Sequence, residues 1–164
     1  MRKTIIGVMG PGNKASPTHL KHAYELGQQI AEQGWVLLTG GRKTGVMDAA
    51  SQGAKSAGGL TIGILPSNNT SNISDAVDIA IVTDMGNARN NINVLSSDVV
   101  IACGMGMGTA SEIALALKND KKVVLLTDHQ ESQLFFSSLS KENIFLTASP
   151  AATIEVVRSL LTES

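Results

Sequence analysis

The chain has a single cysteine, Cys103, in 164 residues. An internal disulfide is therefore excluded, and the composition fits a reducing cytoplasm. No apolar run approaches the ~20 residues that a membrane-crossing helix needs, so no membrane partner is expected. Charge is sparse, with 16% charged residues and a formal net charge of −1. The lysines and arginines are scattered, which leaves no basic face for the phosphate row of a nucleic acid. A single small anionic ligand remains compatible. His19 and His22 share a helix face, but no third ligand joins them and His129 stands alone, so no metal site is expected. There is no linker, no fixed-period repeat and no low-complexity tract beyond one short polar loop. What is present is a 43% hydrophobic chain, enough to exclude disorder and to build one soluble globular domain spanning residues 1–164.

The opening MRKTIIGVMG superficially resembles a signal peptide, but its apolar run is short and enters Gly10-Pro11-Gly12-Asn13 without a cleavage pattern. It reads as a first strand, Thr4 to Met9. Helical spacing from Thr18 ends at Gly34, and a second strand runs from Trp35 to Thr39. Gly40-Gly41-Arg42-Lys43-Thr44-Gly45 then leads into a helix, Val46 to Ala57. Leu60 to Leu65 is a third strand, followed by an exposed loop, Ser67 to Ser74, that could act as a flap. Ile79 to Val82 is a fourth strand. Asn87 caps a short helix carrying Arg89 on its first turn, Val99 to Ala102 is a buried fifth strand, and glycines lead into a helix from Thr109 to Lys118. Val123 to Leu126, a short helical piece near Leu134 to Leu139, Ile144 to Leu146 and a helix opened by Ser149-Pro150 complete the chain.

Apolar strands alternating with amphipathic helices predict an α/β fold, a modified Rossmann-type three-layer αβα sandwich with a mainly parallel sheet. Such sheets bind ligands at their carboxyl edge, where the strand order reverses. The loops after Met9, Thr39, Val82 and Ala102 should converge there.

Gly104, Gly106 and Gly108 precede a helix N-terminus, where unpaired N–H groups and small residues admit a phosphate. A tight turn is the plainer alternative. Thr109 and Glu112 form either a capping box or part of a ligand site. Arg89 at a helix N-terminus opposes the dipole, which points to a nearby anion unless the side chain simply reaches water. Arg42 and Lys43 could meet a phosphate, and Gly10, Gly12 and Asn13 could contact a base or ribose. Cys103 reads as a small buried residue, and Met105 and Met107 as packing for a flat ligand or a partner subunit.

GGRKTGVMDAA, Gly40 to Ala50, resembles the GGG-x-x-G-L-M motif of the LOG family, the cytokinin riboside 5′-monophosphate phosphoribohydrolases of the SLOG superfamily. GMGMGTASE, Gly104 to Glu112, is similar to that family's PGG-x-GT-x-x-E motif, and the spacing from Arg89 to Glu112 matches without a gap. The GPGNK opening, the MGNARN segment and the short length resemble the molybdenum cofactor carrier proteins more closely. The resemblance implies a Rossmann-like fold, a homodimer or homotetramer, and a small phosphorylated ligand: a molybdenum cofactor or a nucleoside monophosphate. Gly106, Gly108 and Thr109 match the second motif residue by residue and Gly40, Gly41 and Gly45 fall in the first; together with Gly10, Gly12, Asn13 and Gly104, read from the strand-end loops, they are expected around that ligand. In a hydrolase, Arg89 would orient the substrate and Glu112 would act on water; in a carrier, both would only bind. A nucleotide sensor is a third reading. The hydrolases carry lysine after the arginine where this chain has Asn90, and proline-glycine where it has Gly104-Met105.

Overall fold

A computed structural model describes residues 2–162; the ends of the expected 1–164 domain, residues 1, 163 and 164, lie outside the described residues. Strands β1 (Ile5–Met9), β2 (Val36–Thr39), β3 (Thr61–Leu65), β4 (Ile79–Val82), β5 (Val99–Cys103), β6 (Lys122–Leu126) and β7 (Ile144–Thr147) form one seven-stranded sheet in the order β4-β3-β2-β1-β5-β6-β7. All its pairings are parallel, so the sheet is wholly rather than mainly parallel. The helices are α1 (Pro17–Glu32), α2 (Gly45–Ser56), α3 (Arg89–Ser96), α4 (Met107–Lys118), α5 (Gln130–Leu139) and α6 (Pro150–Thr162).

Strand alternation divides the core between two faces. Ile6, Val8, Ile101, Val124 and Leu126 pack with α1, α2 and α6, while Met9, Val100, Ala102, Val123 and Leu125 pack with α3, α4 and Phe136 of α5. This is the three-layer sandwich that the sequence pattern predicts. β2 and β5 are buried along their whole length, as expected of strands covered on both sides. β4 is the exception: its apolar residues stand at the sheet edge and are exposed.

From β1 the chain winds outward through β2 and β3 to β4, then returns to β5 beside β1 and winds the other way. The loops after β1 and β5 therefore leave adjacent strands in opposite directions and open a crevice between them.

Local signals explain most boundaries. Ser16 caps α1 and, with His19, forms a reciprocal box: His19 N donates to Ser16 Oγ at 3.2 Å and Ser16 N donates to His19 Nδ1 at 3.2 Å. Ser149 accepts from Ala152 N ahead of Pro150, as its sequence predicts. Two expectations fail. Asn87 caps nothing, because a 3₁₀ turn over Gly86–Ala88 runs directly into α3 and supplies its first bonds. α4 begins at Met107, two residues before the expected Thr109, since Gly106 is extended and its carbonyl accepts from Ala110 N. The loop from Ser67 to Ser74 is mostly exposed but held: Lys43 N donates to Asn72 O, Ser74 N donates to Gly41 O, and Arg42 bridges Ile73. It is tied to the β2–α2 loop and is not a free flap.

Candidate functional site

A cavity of about 310 Å³ lies over the β1/β5 crevice. The four expected loops converge on it: Gly10 to Lys14 after β1, Gly40 and Arg42 after β2, Asn87 to Asn90 after β4, and Met105 to Thr109 after β5. Glu112 and Met47 line its floor.

The wall from β5 is the start of α4. Gly106 is extended as the N-cap, and no side chain caps the helix. The first backbone N–H groups of α4 thus have no helical acceptor and border the cavity. A Cβ on Gly106 would find its nearest neighbour, Pro11 Cβ, 3.7 Å away, and one on Gly108 would meet nothing within 4 Å. These glycines leave room, the arrangement in which an anion can approach a helix N-terminus.

Thr109 and Glu112 do not form the capping box that their spacing allows. Because α4 starts earlier, Thr109 is its third residue, and its Oγ1 is buried with no hydrogen-bond partner. Glu112 is 8% exposed and accepts from Asn93 Nδ2 at 3.2 Å. Burial pushes its carboxyl up to about 7, with Asn93 and the charge of Arg89 pulling the other way. Near neutral pH this group can therefore give or take a proton.

Arg89 is 7% exposed, so the solvated reading of this side chain fails. Its Nη1 donates to Gly40 O at 2.7 Å and Ile64 O at 2.5 Å, across the carboxyl ends of β2 and β3. The negative partners that the sequence signal demanded are in part these carbonyls. Nε is buried without a partner. Burial, and more weakly the charge of Arg42, hold the guanidinium below its ordinary pKa, while Glu112 opposes them. No ion pair within 4.0 Å joins Arg89 to Glu112 among the described residues, so both remain available to a third group.

Of the sequence candidates, Gly10, Gly12, Asn13, Gly40, Arg89, Gly106, Gly108, Thr109 and Glu112 line the cavity, whereas Gly41, Gly45 and Gly104 do not. Gly41 and Gly45 have φ of +76° and +54°, and an added Cβ would lie 2.9 Å from Gly63 Cα and 2.2 Å from Gly12 O. Gly104, φ +80°, lies under the His19 ring. Gly41 and Gly45 serve backbone packing, and Gly104 makes room for the His19 side chain. Arg42 lines the cavity, but Lys43 turns away to pair with Asp75. Cys103 is fully buried, and burial pushes its thiol up to about 12. Met105 and Met107 both border the cavity, Met107 at 94% exposure.

Sequence reasoning missed Lys14, Met47 and Asn93 as site components. Asn93 was detectable, since it falls one helical turn beyond Arg89 on the same face. Asn90, read only as a departure, lines the cavity and donates through Nδ2 to Ser111 Oγ at 3.0 Å.

With this geometry in view, comparisons with known proteins are specific. The SLOG cluster4 family matches residues 3–154. The molybdenum cofactor binding protein of the phototrophic bacterium Rippkaea orientalis is 68% identical, with a TM-score of 0.97 over 98% of this chain and 99% of that one. The molybdenum cofactor carrier protein of Chlamydomonas reinhardtii is 56% identical, with a TM-score of 0.93 over 98% and 99%. The cytokinin riboside 5′-monophosphate phosphoribohydrolase of Mycobacterium tuberculosis is 38% identical over 104 residues, 60% of this chain and 56% of the enzyme. The chain thus spans little more than half the length of that hydrolase. No described helix is long and apolar enough to cross a membrane. The chain belongs to the SLOG cluster4 family.

Proposed function

We propose, on the premise of that family membership, that the cavity at the β1/β5 crevice binds the molybdenum cofactor by its phosphate and one hydrogen-bonding edge. The observation that carries this reading is the pair of unpaired buried groups in residues that line one cavity with an open helix N-terminus: Thr109 Oγ1, close to Gly106, and Arg89 Nε, whose guanidinium lies against Gly40. A buried polar atom without a partner costs about 1–3 kcal/mol, and a ligand that supplies its partner recovers that cost. The 68% identity to a molybdenum cofactor binding protein over nearly the whole chain supports the choice of cofactor.

In this reading the phosphate lies against the N–H groups of Met107 to Thr109, with the Thr109 hydroxyl donating to it. Arg89, pinned by two carbonyls, contributes fixed positive charge without having to reorganise. Arg42 and Lys14 add cations toward the outer lining of the cavity. Glu112 accepts from an N–H or O–H group of the ligand. The cofactor is cargo, and the protein's work is to hold it and exclude water. The ligand is small and phosphorylated, and a homodimer or homotetramer is the assembly we infer.

One observation favours a second reading. A carboxyl with a pKa near 7 beside a buried arginine could activate water at the C1′ of a nucleoside 5′-monophosphate, releasing base and ribose 5-phosphate. Incubation with AMP, GMP, CMP and UMP, followed by chromatography for free base, separates the two. The carrier reading expects no released base; turnover abolished by Glu112→Gln would replace it with the hydrolase. A nucleotide-sensing role would instead show tight nucleotide binding without turnover and without cofactor retention.

A further inference from the structure

Asn93 is fully buried in α3 and does not line the cavity, yet it is the side chain that touches Glu112. Its Nδ2 donates to Glu112 Oε1 at 3.2 Å, while its Oδ1 is buried without a hydrogen-bond partner. An amide buried with its carbonyl unpaired is costly for a purely structural residue; leucine of similar volume would fill the space without that cost.

Both ends of the amide become useful if Glu112 changes protonation state. The ionised carboxylate accepts only, and Nδ2 serves it. The neutral acid has an O–H to donate, and a half-turn of the amide about its last bond brings Oδ1 to the same place. We propose that Asn93 is the positioning residue of this cavity: its buried amide fixes the Glu112 carboxyl and, by turning over, holds it in either its ionised or its neutral form.

Burial, the Asn93 bond and the charge of Arg89 together set the proton balance of Glu112. Arg89 is the charged residue that α3 presents, and Arg42 and Lys14 are the other cations bordering the cavity. Among the strands beneath α4, β5 carries no charged residue, and Lys122 of β6 is held at the amino end by Glu142 O and Asn143. Glu112 is pushed up to about 7 by burial. A ligand N–H donated to Glu112 favours the ionised form, so ligand entry releases a proton to solvent and Asn93 turns its N–H toward the carboxylate. That consequence for uptake rests on the cavity being the ligand site, as proposed above.

The test needs no ligand. The Asn93 side-chain amide and the Glu112 carboxyl are followed by ¹⁵N and ¹³C NMR in the free protein from about pH 5.5 to about pH 8.5. Both signals should move with one common midpoint, and Glu112→Gln should abolish the movement of the Asn93 signals. Asn93→Leu should raise the Glu112 midpoint by at least about half a unit, because the charge-assisted bond lost by the ionised form is stronger than the neutral bond lost by the acid. An Asn93 amide that ignores pH while Glu112 titrates would overturn the proposal, as would an unchanged midpoint in Asn93→Leu. The first comparison uses wild type and Glu112→Gln, so it decides the matter even if Asn93→Leu does not fold. Failure of the protein to retain cofactor would overturn the reading of the cavity and leave this result standing.

Discussion

The chain uses the strand, glycine turn and helix device twice in similar sequence, and the two copies do different work. After β2, Gly41 and Gly45 adopt positive φ, and the added Cβ atoms would strike backbone within 2.9 Å and 2.2 Å. After β5, Gly106 and Gly108 face space, with nothing nearer than 3.7 Å. The first turn is glycine-rich so that main chains can dock against β3 and the β1 loop. The second is glycine-rich so that a cavity can stay open at a helix end. Identical letters therefore carry opposite consequences for substitution, and stability measurements can separate them from binding measurements.

The largest effect should come from Gly45→Ala. A left-handed alanine costs about 1–2 kcal/mol, and displacing the carbonyls of Pro11 and Gly12 adds to it, for a total of about 4 kcal/mol. Thermal unfolding should show a Tm drop of roughly 10 °C. An unchanged Tm would erase the distinction between the two turns.

Next in size is a pH effect at Glu112. Its folded pKa, about 7, lies above the ordinary 4.5, so the neutral form's contribution is fully present below pH 4.5 and is lost as pH rises through 7. Glu112→Gln removes that dependence. The stability of the variant relative to wild type should improve by on the order of 3 kcal/mol between about pH 4.5 and about pH 8, as measured by urea unfolding.

Arg89 joins the two devices, since it bonds Gly40 O of the first and faces the cavity beside the second. Arg89→Met should cost about 1–3 kcal/mol by leaving the Gly40 and Ile64 carbonyls without that donor, and should weaken ligand binding as well. Arg42→Ala, by contrast, should weaken binding at unchanged Tm. The smallest effect is of the opposite sign. Gly108→Ala, in the first turn of α4, should stabilise the fold by up to about 1 kcal/mol while reducing ligand affinity. A loss of both stability and affinity would place Gly108 with Gly45.

The sequence made the fold legible because period and punctuation agree: the apolar runs at β1, β2 and β5 are the buried strands, and Ser149-Pro150 opens α6 where expected. Arg89, Glu112, Gly106 and Gly108, which line one cavity, were legible as a group through their spacing, whereas Gly104 was grouped with them and lies outside it. Two things were not. The start of α4 depends on the extended backbone of Gly106, which no propensity specifies, and that two-residue difference dissolves the apparent capping box of Thr109 and Glu112. The sorting of glycines depends on what lies across the turn, Gly63 for Gly41 and Gly12 for Gly45, which is tertiary information. Asn93 stands one turn beyond Arg89 on the same helix face, a spacing visible in the sequence, but its role comes from the carboxyl 3.2 Å away.

The open helix end after β5 is proposed above to hold the molybdenum cofactor. The direct measurement is retention: anoxic incubation with cofactor released from a molybdoenzyme, gel filtration, and quantification of pterin and molybdenum in the protein peak. Wild type should retain both stoichiometrically, and Gly106→Val, which fills the space beside Pro11 without altering a strained turn, should retain neither at unchanged Tm. Equal retention by wild type and Gly106→Val, or none by wild type, would contradict the account.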